Sequence, residues 1–381
     1  MDFAFDQELS MVRDMAREFA EKELRPRAAE FDRQERIPPD VFEKLAELGL
    51  WGLTIPEEYG GAGLGNLALS TVLMEINRAC ASTGVTLSVH NSLLGAPLRR
   101  FGSDEQKRTW LPKLARGETI GAYCLTEPNS GSDAAALRTT AVRSGDGYVL
   151  DGTKVWVTNG GIAGLFVIYA RTDPKVSKAK GISAFLVPRE TQGLSVGKHE
   201  KKTGIRGSST TEILLENARI PASSLLGQEN RGFAIALDTL DGGRIGIAAQ
   251  AVGIAQACLE ASVKYSKERQ QFQAPIAEFQ AIQWKLSDMA TRIEAARLLT
   301  FRAAWLRDRG EPCNREAAQA KLFASQTANF CADEALQIHG GAGYTDEFPV
   351  ERFFRDARIT EIYEGATDVQ RIVIARSVLA G

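Results

Sequence analysis

Histidine is scarce: it occurs three times and never at metal-ligand spacing, so a metal centre lacks its donors. The five cysteines (Cys80, Cys124, Cys258, Cys313, Cys331) are odd in number and scattered, with no CxxC pair. That excludes a dense disulfide framework and suits a reducing compartment. An excess of one charge is also missing. The 46 basic and 48 acidic residues are interspersed and leave a net charge of -2, so no global field favours nucleic acid, and an anionic ligand must be held by local groups. No apolar run approaches the roughly 20 residues needed to cross a bilayer, which argues against membrane insertion. Residues 1–24 alternate charged with apolar side chains, where a secretory leader would place a basic patch before an apolar stretch. The expected location is the cytoplasm, or a mitochondrial matrix if a transit peptide has been removed.

What is present is an ordinary folded composition, 44% hydrophobic and 25% charged. A chain of 381 residues is too long for one small core, so several packed domains are expected. Residues 1–119 read as helical: Leu9, Val12, Met15 and Phe19 share one face, and Val41, Leu45 and Leu48 another. Residues 120–229 change character, with β-rich runs at 148–160, 165–171, 182–188 and 210–221 separated by Gly, Pro and Asp. Long helices do not alternate with these runs, which predicts a small barrel or sandwich and not a doubly wound parallel sheet. From 230 to 381 the helical period returns. Proline is absent between Pro221 and Pro275 and between Pro275 and Pro312, so long helices are permitted. Ile282, Leu286, Met289, Ile293, Ala296, Leu299, Ala303 and Leu306 form a seam suited to a four-helix bundle. The fold class is therefore α+β, in the order helical, β, helical bundle.

Four segments carry candidate chemistry, and each has an ordinary structural explanation beside it. Tyr123–Asp133 (YCLTEPNSGSD) is a polar turn after a strand; its small residues also let backbone N–H groups and hydroxyls approach a flat ring or a phosphate. In Lys154–Gly161 (KVWVTNGG), Trp156 on a strand is normally core, whereas exposure beside a turn suits packing on an aromatic cofactor with Thr158 supplying a hydroxyl. Gln337–Tyr344 (QIHGGAGY) closes an Ala-rich helix; a glycine C-cap explains the backbone, but three glycines exceed what a cap needs. In Arg358–Arg371, Thr367 and Gln370 are spaced as a capping box, which places a helix N-terminus near 367 and an anion site on its free N–H groups. Glu364 then lies in the connection just before that helix. By itself it is an ordinary exposed carboxylate. Asp241 and Arg244 lie three apart on one helix face, as a solvated pair or a binding pair.

In this order and at these separations, the segments YCLTEPNSGSD, WVTNGG, ERQQFQAPIAEFQ, QIHGGAGY and IYEGATDVQRIVIAR resemble the acyl-CoA dehydrogenase family from end to end. The resemblance implies FAD as cofactor, an acyl-CoA substrate, and electron-transferring flavoprotein as the electron acceptor. No G-x-G-x-x-G follows a strand, so FAD would not be held by a Rossmann domain. It implies that Tyr123, Leu125, Thr126 and Ser132, with Trp156, Val157 and Thr158, line the flavin. Arg269, Gln280 and the run Gln337, Ile338, His339, Gly340 and Gly341 match contacts made to the cofactor of a neighbouring subunit, within a homotetramer built as a dimer of dimers. Ala366, Thr367 and Asp368 match the pyrophosphate segment, and Ser132, Asp241, Arg244, Tyr363 and Gly365 the substrate contacts. Glu364 matches the base that removes the α-proton while the flavin takes the β-hydrogen. The family carries its base either on this loop or on a long helix, at the position held here by Gly243. Members often have Gly-Thr-Ser after the base where this chain has Gly365-Ala366-Thr367, which shifts one hydroxyl and leaves single pyrophosphate contacts open. The stretches Ser88–Leu93 and LDGGRIGIAAQAVGIAQ are most like short-chain, butyryl-type members. Short branched-chain and glutaryl-type members share many of these features. An acyl-CoA oxidase or a non-catalytic scaffold relative are the remaining alternatives.

Overall fold

The computed structural model describes residues 6–176 and 179–380; the first residues of the expected N-terminal helix lie outside them. The N-terminal helices are α1 (Gln7–Phe19), α2 (Ala28–Gln34), α3 (Pro39–Glu47), α4 (Asn66–Ala79), α5 (Ala81–Ser88), α6 (Ala96–Phe101) and α7 (Asp104–Ala115). The faces expected from sequence point inward: Leu9, Phe19, Val41 and Leu45 are buried, and Val12, Met15 and Leu48 pack against them partly covered. Between α5 and α6 the helix widens into a π-turn, Val89–Gly95, that is buried throughout.

Strands β1 (Gly121–Cys124), β2 (Thr140–Ser144), β3 (Gly147–Thr158), β4 (Leu165–Arg171), β5 (Ile182–Pro188), β6 (Leu194–His199), β7 (Thr210–Pro221) and β8 (Leu225–Leu226) follow. They form one mixed sheet in the order β6-β7-β3-β2-β4-β5-β8, with β1 added parallel to β4. Strand β4 reads as an unbroken apolar run because both of its faces are covered. Leu165, Val167 and Tyr169 join one core, shared with Leu98, Leu111, Leu114 and Ile235 of the helices, while Phe166, Ile168 and Ala170 enter a second core with Phe185, Ile213 and Leu215. The strict period of two divides one strand between two cores.

The C-terminal region contains α8 (Gly232–Glu268), a small hairpin of β9 (Gln270–Gln271) and β10 (Ala274–Pro275), then α9 (Gln280–Asp308), α10 (Asn314–His339), α11 (Val350–Arg358) and α12 (Thr367–Leu379). The seam expected on α9 is the buried one at Met289, Ile293, Ala296 and Ala303, with Thr300 and Ala304 added; Ile282, Leu286 and Leu299 are partly covered. Helix α8 packs on α10 and α4 and runs 37 residues. By length and composition it would pass for a membrane span, which corrects the expectation that no segment of this chain comes near one; 78% of its apolar window is buried inside the protein. Its apolar side chains are matched to protein, not lipid.

Candidate active site

Helix α11 ends in a short turn, Ile359–Glu361, and α12 begins at Thr367. In between, Glu364 (φ 50°) and Gly365 (φ 95°) take consecutive left-handed conformations. Glycine tolerates this freely, whereas for glutamate the cost is on the order of 1–3 kcal/mol, so surrounding contacts must hold it. They are present. The Gly365 carbonyl accepts from Lys321 Nζ at 2.8 Å and from Gln370 Nε2 at 2.7 Å. A Cβ at position 365 would overlap the Gln370 amide and displace its hydrogen bond, and the positive φ favours glycine independently. The expected capping box does not form. The N-cap is Ala366, which puts Thr367 one residue too late; its hydroxyl instead donates to the Glu361 carbonyl at 3.2 Å, and Gln370 turns back to the Gly365 carbonyl.

Glu364 is partly covered as a residue, but its carboxylate Oε2 is shielded from solvent and has no hydrogen-bond partner. That oxygen faces α8. A Cβ built on Gly243 would overlap it, so the helix position that carries no side chain and the loop position that carries the carboxylate address the same space. Burial pushes Glu364 up to about 7, against the opposing pull of the Lys321 and Arg244 cations. Lys321 is itself driven down to about 8 by burial, with Glu364 and Glu361 limiting the fall. Arg244 Nη1 donates to Asp241 Oδ1 at 2.7 Å, and Asn314 Nδ2 donates to the same oxygen at 2.8 Å. With the Arg244 side chain 6% and the Asp241 side chain 14% exposed, this is a buried pair and not a solvated one. Beside Glu364, the Tyr363 hydroxyl donates to Gln250 Oε1 of α8. A carboxyl poised near neutrality, with one oxygen unpartnered and shielded from solvent, is equipped to accept a proton.

The polar loop after β1 and the Trp156 segment of β3 are adjacent. Val155 N–H donates to the Thr126 carbonyl at 3.0 Å, and the fully buried Lys154 Nζ donates to Leu125 O at 3.2 Å and Glu127 Oε1 at 2.7 Å. Glu127 also accepts from the backbone N–H groups of Arg138 and Thr139. Trp156 lies in a β-bulge between Lys154 and Val157, at φ 55°, and is 62% exposed. Positive φ is a true outlier for so bulky a residue. It turns the indole out of the core while Leu125 and Val157 stay in it. Thr126 and Thr158 are half-buried, and Ser132 is exposed on the loop. Tyr123, whose ring lies 5.1 Å from that of Tyr169, has its phenol pushed well up, first by burial, then by Tyr169 and by the Glu364 charge, so the end of β1 and Glu364 are neighbours.

The remaining expected residues divide. Arg269, Gln280, Gln337, Gly340 and Gly341 are exposed, as is Asp368, which pairs with Arg371 at 2.9 Å. Ala366 and Thr367 are partly covered. Ile338 and His339 turn inward: His339 stacks on Tyr265 at 4.2 Å and its Nδ1 lies 2.8 Å from Ala335 O, and burial lowers its pKa. Among the described residues, no hydrogen bond or ion pair joins Arg269, Gln280 or Gln337–Gly341 to the Glu364 cluster. Lys321 and Gln250 carry no motif in the sequence, and Gln370 stands out there only as part of a capping box. The signal for Lys321 was a lone cation in the Ala-rich run AAQAKLFA, where a lysine is out of place unless it has a partner.

Comparison with known proteins agrees over the whole chain. The family descriptions "Acyl-CoA dehydrogenase, N-terminal domain", "middle domain" and "C-terminal domain" match residues 6–118, 122–218 and 230–379. The mitochondrial short-chain specific acyl-CoA dehydrogenase of Mus musculus is 53% identical over 97% of this chain and 89% of its own. Butyryl-CoA dehydrogenase from Megasphaera elsdenii superposes with a TM-score of 0.98 at 42% identity, covering 100% of both chains. A chain in a structure of the electron transferring flavoprotein of Acidaminococcus fermentans does so with a TM-score of 0.98 at 46% identity, again over 100% of both. Three consecutive family matches and these end-to-end likenesses leave one assignment: the chain belongs to the acyl-CoA dehydrogenase family of oxidoreductases.

Proposed function

We propose that this protein removes the α- and β-hydrogens of a short-chain acyl-CoA to give the trans-2-enoyl-CoA, with FAD as cofactor, Glu364 as base and electron-transferring flavoprotein as acceptor. The observation that carries the reading is the unpartnered, shielded Oε2 of Glu364 facing the bare Gly243. A thioester α-proton is too weakly acidic for a carboxylate in water. Exclusion of water strengthens hydrogen bonds to the developing enolate oxygen and raises the carboxylate toward the working pH. Arg244, whose charge bears on Glu364 and which Asp241 holds, suits orientation of the substrate.

The residues present fit FAD. An exposed indole on a bulge, next to a loop of small residues, offers a flat apolar shelf beside free backbone and hydroxyl groups. Tyr123, Leu125, Thr126, Ser132 and Trp156–Thr158 would hold it, with Ala366, Thr367 and Asp368 toward the pyrophosphate. When bound, FAD supplies the two-electron acceptor for the hydrogen lost from the β-carbon. The exposed Arg269, Gln280, Gln337, Gly340 and Gly341 would reach the cofactor of a second copy, which makes the working unit a homotetramer, a dimer of dimers. Of the 29 residues of α9 and the 13 of α12, few are buried within one chain, as expected of helices that meet other copies. Sedimentation is expected to show a tetramer carrying FAD; an FAD-saturated monomer would contradict the arrangement. All five thiols are free and buried, in keeping with work in the cytoplasm or a mitochondrial matrix.

The preference for short acyl chains is tested with a panel of acyl-CoA thioesters and an artificial electron acceptor. Butyryl-CoA is expected to give the highest kcat/KM, and a clear rise toward octanoyl-CoA would overturn the preference. The facing of Gly243 and Glu364 also makes the base transferable. Glu364→Gly should abolish turnover, and adding Gly243→Glu should restore part of it, because the new carboxylate starts from α8 toward the same space. Recovery is expected to stay partial, since a misplacement of about 1 Å can cost roughly 10²-fold. Equal inactivity of the single and double variants at full flavin content would show that the two positions do not serve one carbon.

A further inference from the structure

We propose that Lys321 and Gln370 are positioning residues for the base: together they clamp the Gly365 carbonyl and so hold Glu364 in the left-handed conformation that aims its carboxylate at the space beside Gly243. The inference rests on Glu364 being the base, as argued above, and adds to it the device that holds the base in place.

The geometry comes first. Two consecutive left-handed residues turn the Gly365 carbonyl inward, where Lys321 Nζ of α10 and Gln370 Nε2 of α12 meet it at 2.8 and 2.7 Å. The Gln370 amide also reaches the Glu364 carbonyl at 3.4 Å. Both side chains are fully buried, at 0% exposure. The other fully buried residues of α10 are small, mainly Ala with Ser325 and Cys331, so a buried ammonium is the exception on this helix. Burying a lysine is expensive unless the charge is used. Here the same ammonium that holds the carbonyl also lies within electrostatic range of the Glu364 carboxylate.

Charge follows from the same placement. The groups that bear on Glu364 are Arg244 from α8 and Lys321 from α10, both cationic, with the Tyr123 and Tyr363 phenols as neutral neighbours; Glu361 of the preceding turn bears on Lys321. Removing Lys321 leaves Arg244 alone to oppose the effect of burial, so the carboxylate should hold its proton to higher pH. Gln370 carries no charge and acts through geometry alone. The two side chains therefore predict different signatures, which a merely structural role would not produce.

The test uses the purified holoprotein and three variants, Lys321→Met, Lys321→Arg and Gln370→Met, each checked for flavin content by its visible spectrum. Flavin reduction by butyryl-CoA is followed anaerobically across pH, and the Glu364 carboxyl is titrated by infrared difference against Glu364→Gln. Wild-type protein must bleach with butyryl-CoA; if it does not, the dehydrogenase reading fails and the positioning role is not what was refuted. Given that, Lys321→Met is expected to slow reduction by roughly tenfold or more, the scale of displaced or mis-protonated bases. Its rising pH limb and the infrared titration should both move to higher pH, and Lys321→Arg should recover part of the rate and most of the shift. Gln370→Met should slow reduction with the pH limb unmoved. Wild-type rate and titration in flavin-loaded Lys321→Met would overturn the proposal. Failure of both Lys321→Met and Gln370→Met to fold or load flavin, with Lys321→Arg indistinguishable from wild type in rate and titration, would assign the pair to folding and overturn it as well.

Discussion

Glu364→Gln is expected to keep its FAD and its oligomeric state while flavin reduction by the best acyl-CoA falls by at least ~10²-fold, the lower end for loss of a general base. Glutamine preserves the shape of the side chain and can sit in the same cleft, because Oε2 has no hydrogen-bond donor whose loss or inversion would disturb the loop. The strained backbone at Glu364 is held through the Gly365 carbonyl and not through the carboxylate, so it should survive the change. A pH dependence follows. Burial has raised Glu364 from 4.5 to about 7. Only the ionised form accepts the α-proton, so wild-type kcat/KM should rise with pH through about 7 and level off above it. The variant should lose that limb. Anaerobic stopped flow over this range measures both effects, and a variant that reduces flavin at the wild-type rate would remove Glu364 from the chemistry.

Lys154→Met is expected to be the most destabilising single change near the cofactor segments, by about 3–5 kcal/mol, the range for removing one partner of a buried ion pair. Lys154 is fully buried, and Glu127 is left with no other cation among its hydrogen-bond partners. Burial pushes the Glu127 carboxyl up, but Lys154 and the Thr139 and Arg138 contacts outweigh it and hold the group below its ordinary value. Burial pulls Lys154 down, with Glu127 limiting the fall. Because the ammonium also holds the Leu125 carbonyl, its loss loosens the loop from Leu125 to Ser132 against the strand bearing Trp156. Flavin should therefore dissociate more readily in addition to the fall in melting temperature. The double variant Lys154→Met, Glu127→Leu leaves no buried charge behind and should regain part of the stability. Thermal melts and flavin content of the single and double variants decide the matter, and a single variant as stable as wild type would show that the pair is not what joins the two segments.

The order of domains was legible because each has its own periodicity. The seam from Ile282 to Leu306 appears on α9 nearly as spaced, and the apolar runs at 165–171 and 182–188 are strands β4 and β5. That β4 serves two cores could not be read from its own residues, since an apolar run does not say what covers each face. The loop bearing Glu364 stood out in the sequence through its motif. Its local physics did not: Thr367 and Gln370 have the spacing of a capping box, but the N-cap falls at Ala366, and Gln370 is drawn instead to a carbonyl exposed by the left-handed Glu364 and Gly365. Local pairing lost to tertiary demand. The same holds for Lys321, 43 positions before the Glu364 it serves by sequence number and brought to it only by the packing of α10 on α12. His339 adds a case the motif did not foretell: its ring is buried and stacked on Tyr265.

The most direct test of the central claim is anaerobic mixing of the purified protein with butyryl-CoA, with the visible flavin absorption and the acyl products followed together. The account predicts that bound FAD bleaches and that trans-2-enoyl-CoA forms in equal amount in the wild type, while Glu364→Gln at the same flavin content bleaches at least ~10²-fold more slowly. FAD-loaded protein that stays yellow with butyryl-CoA and with every other acyl-CoA in the panel would contradict it.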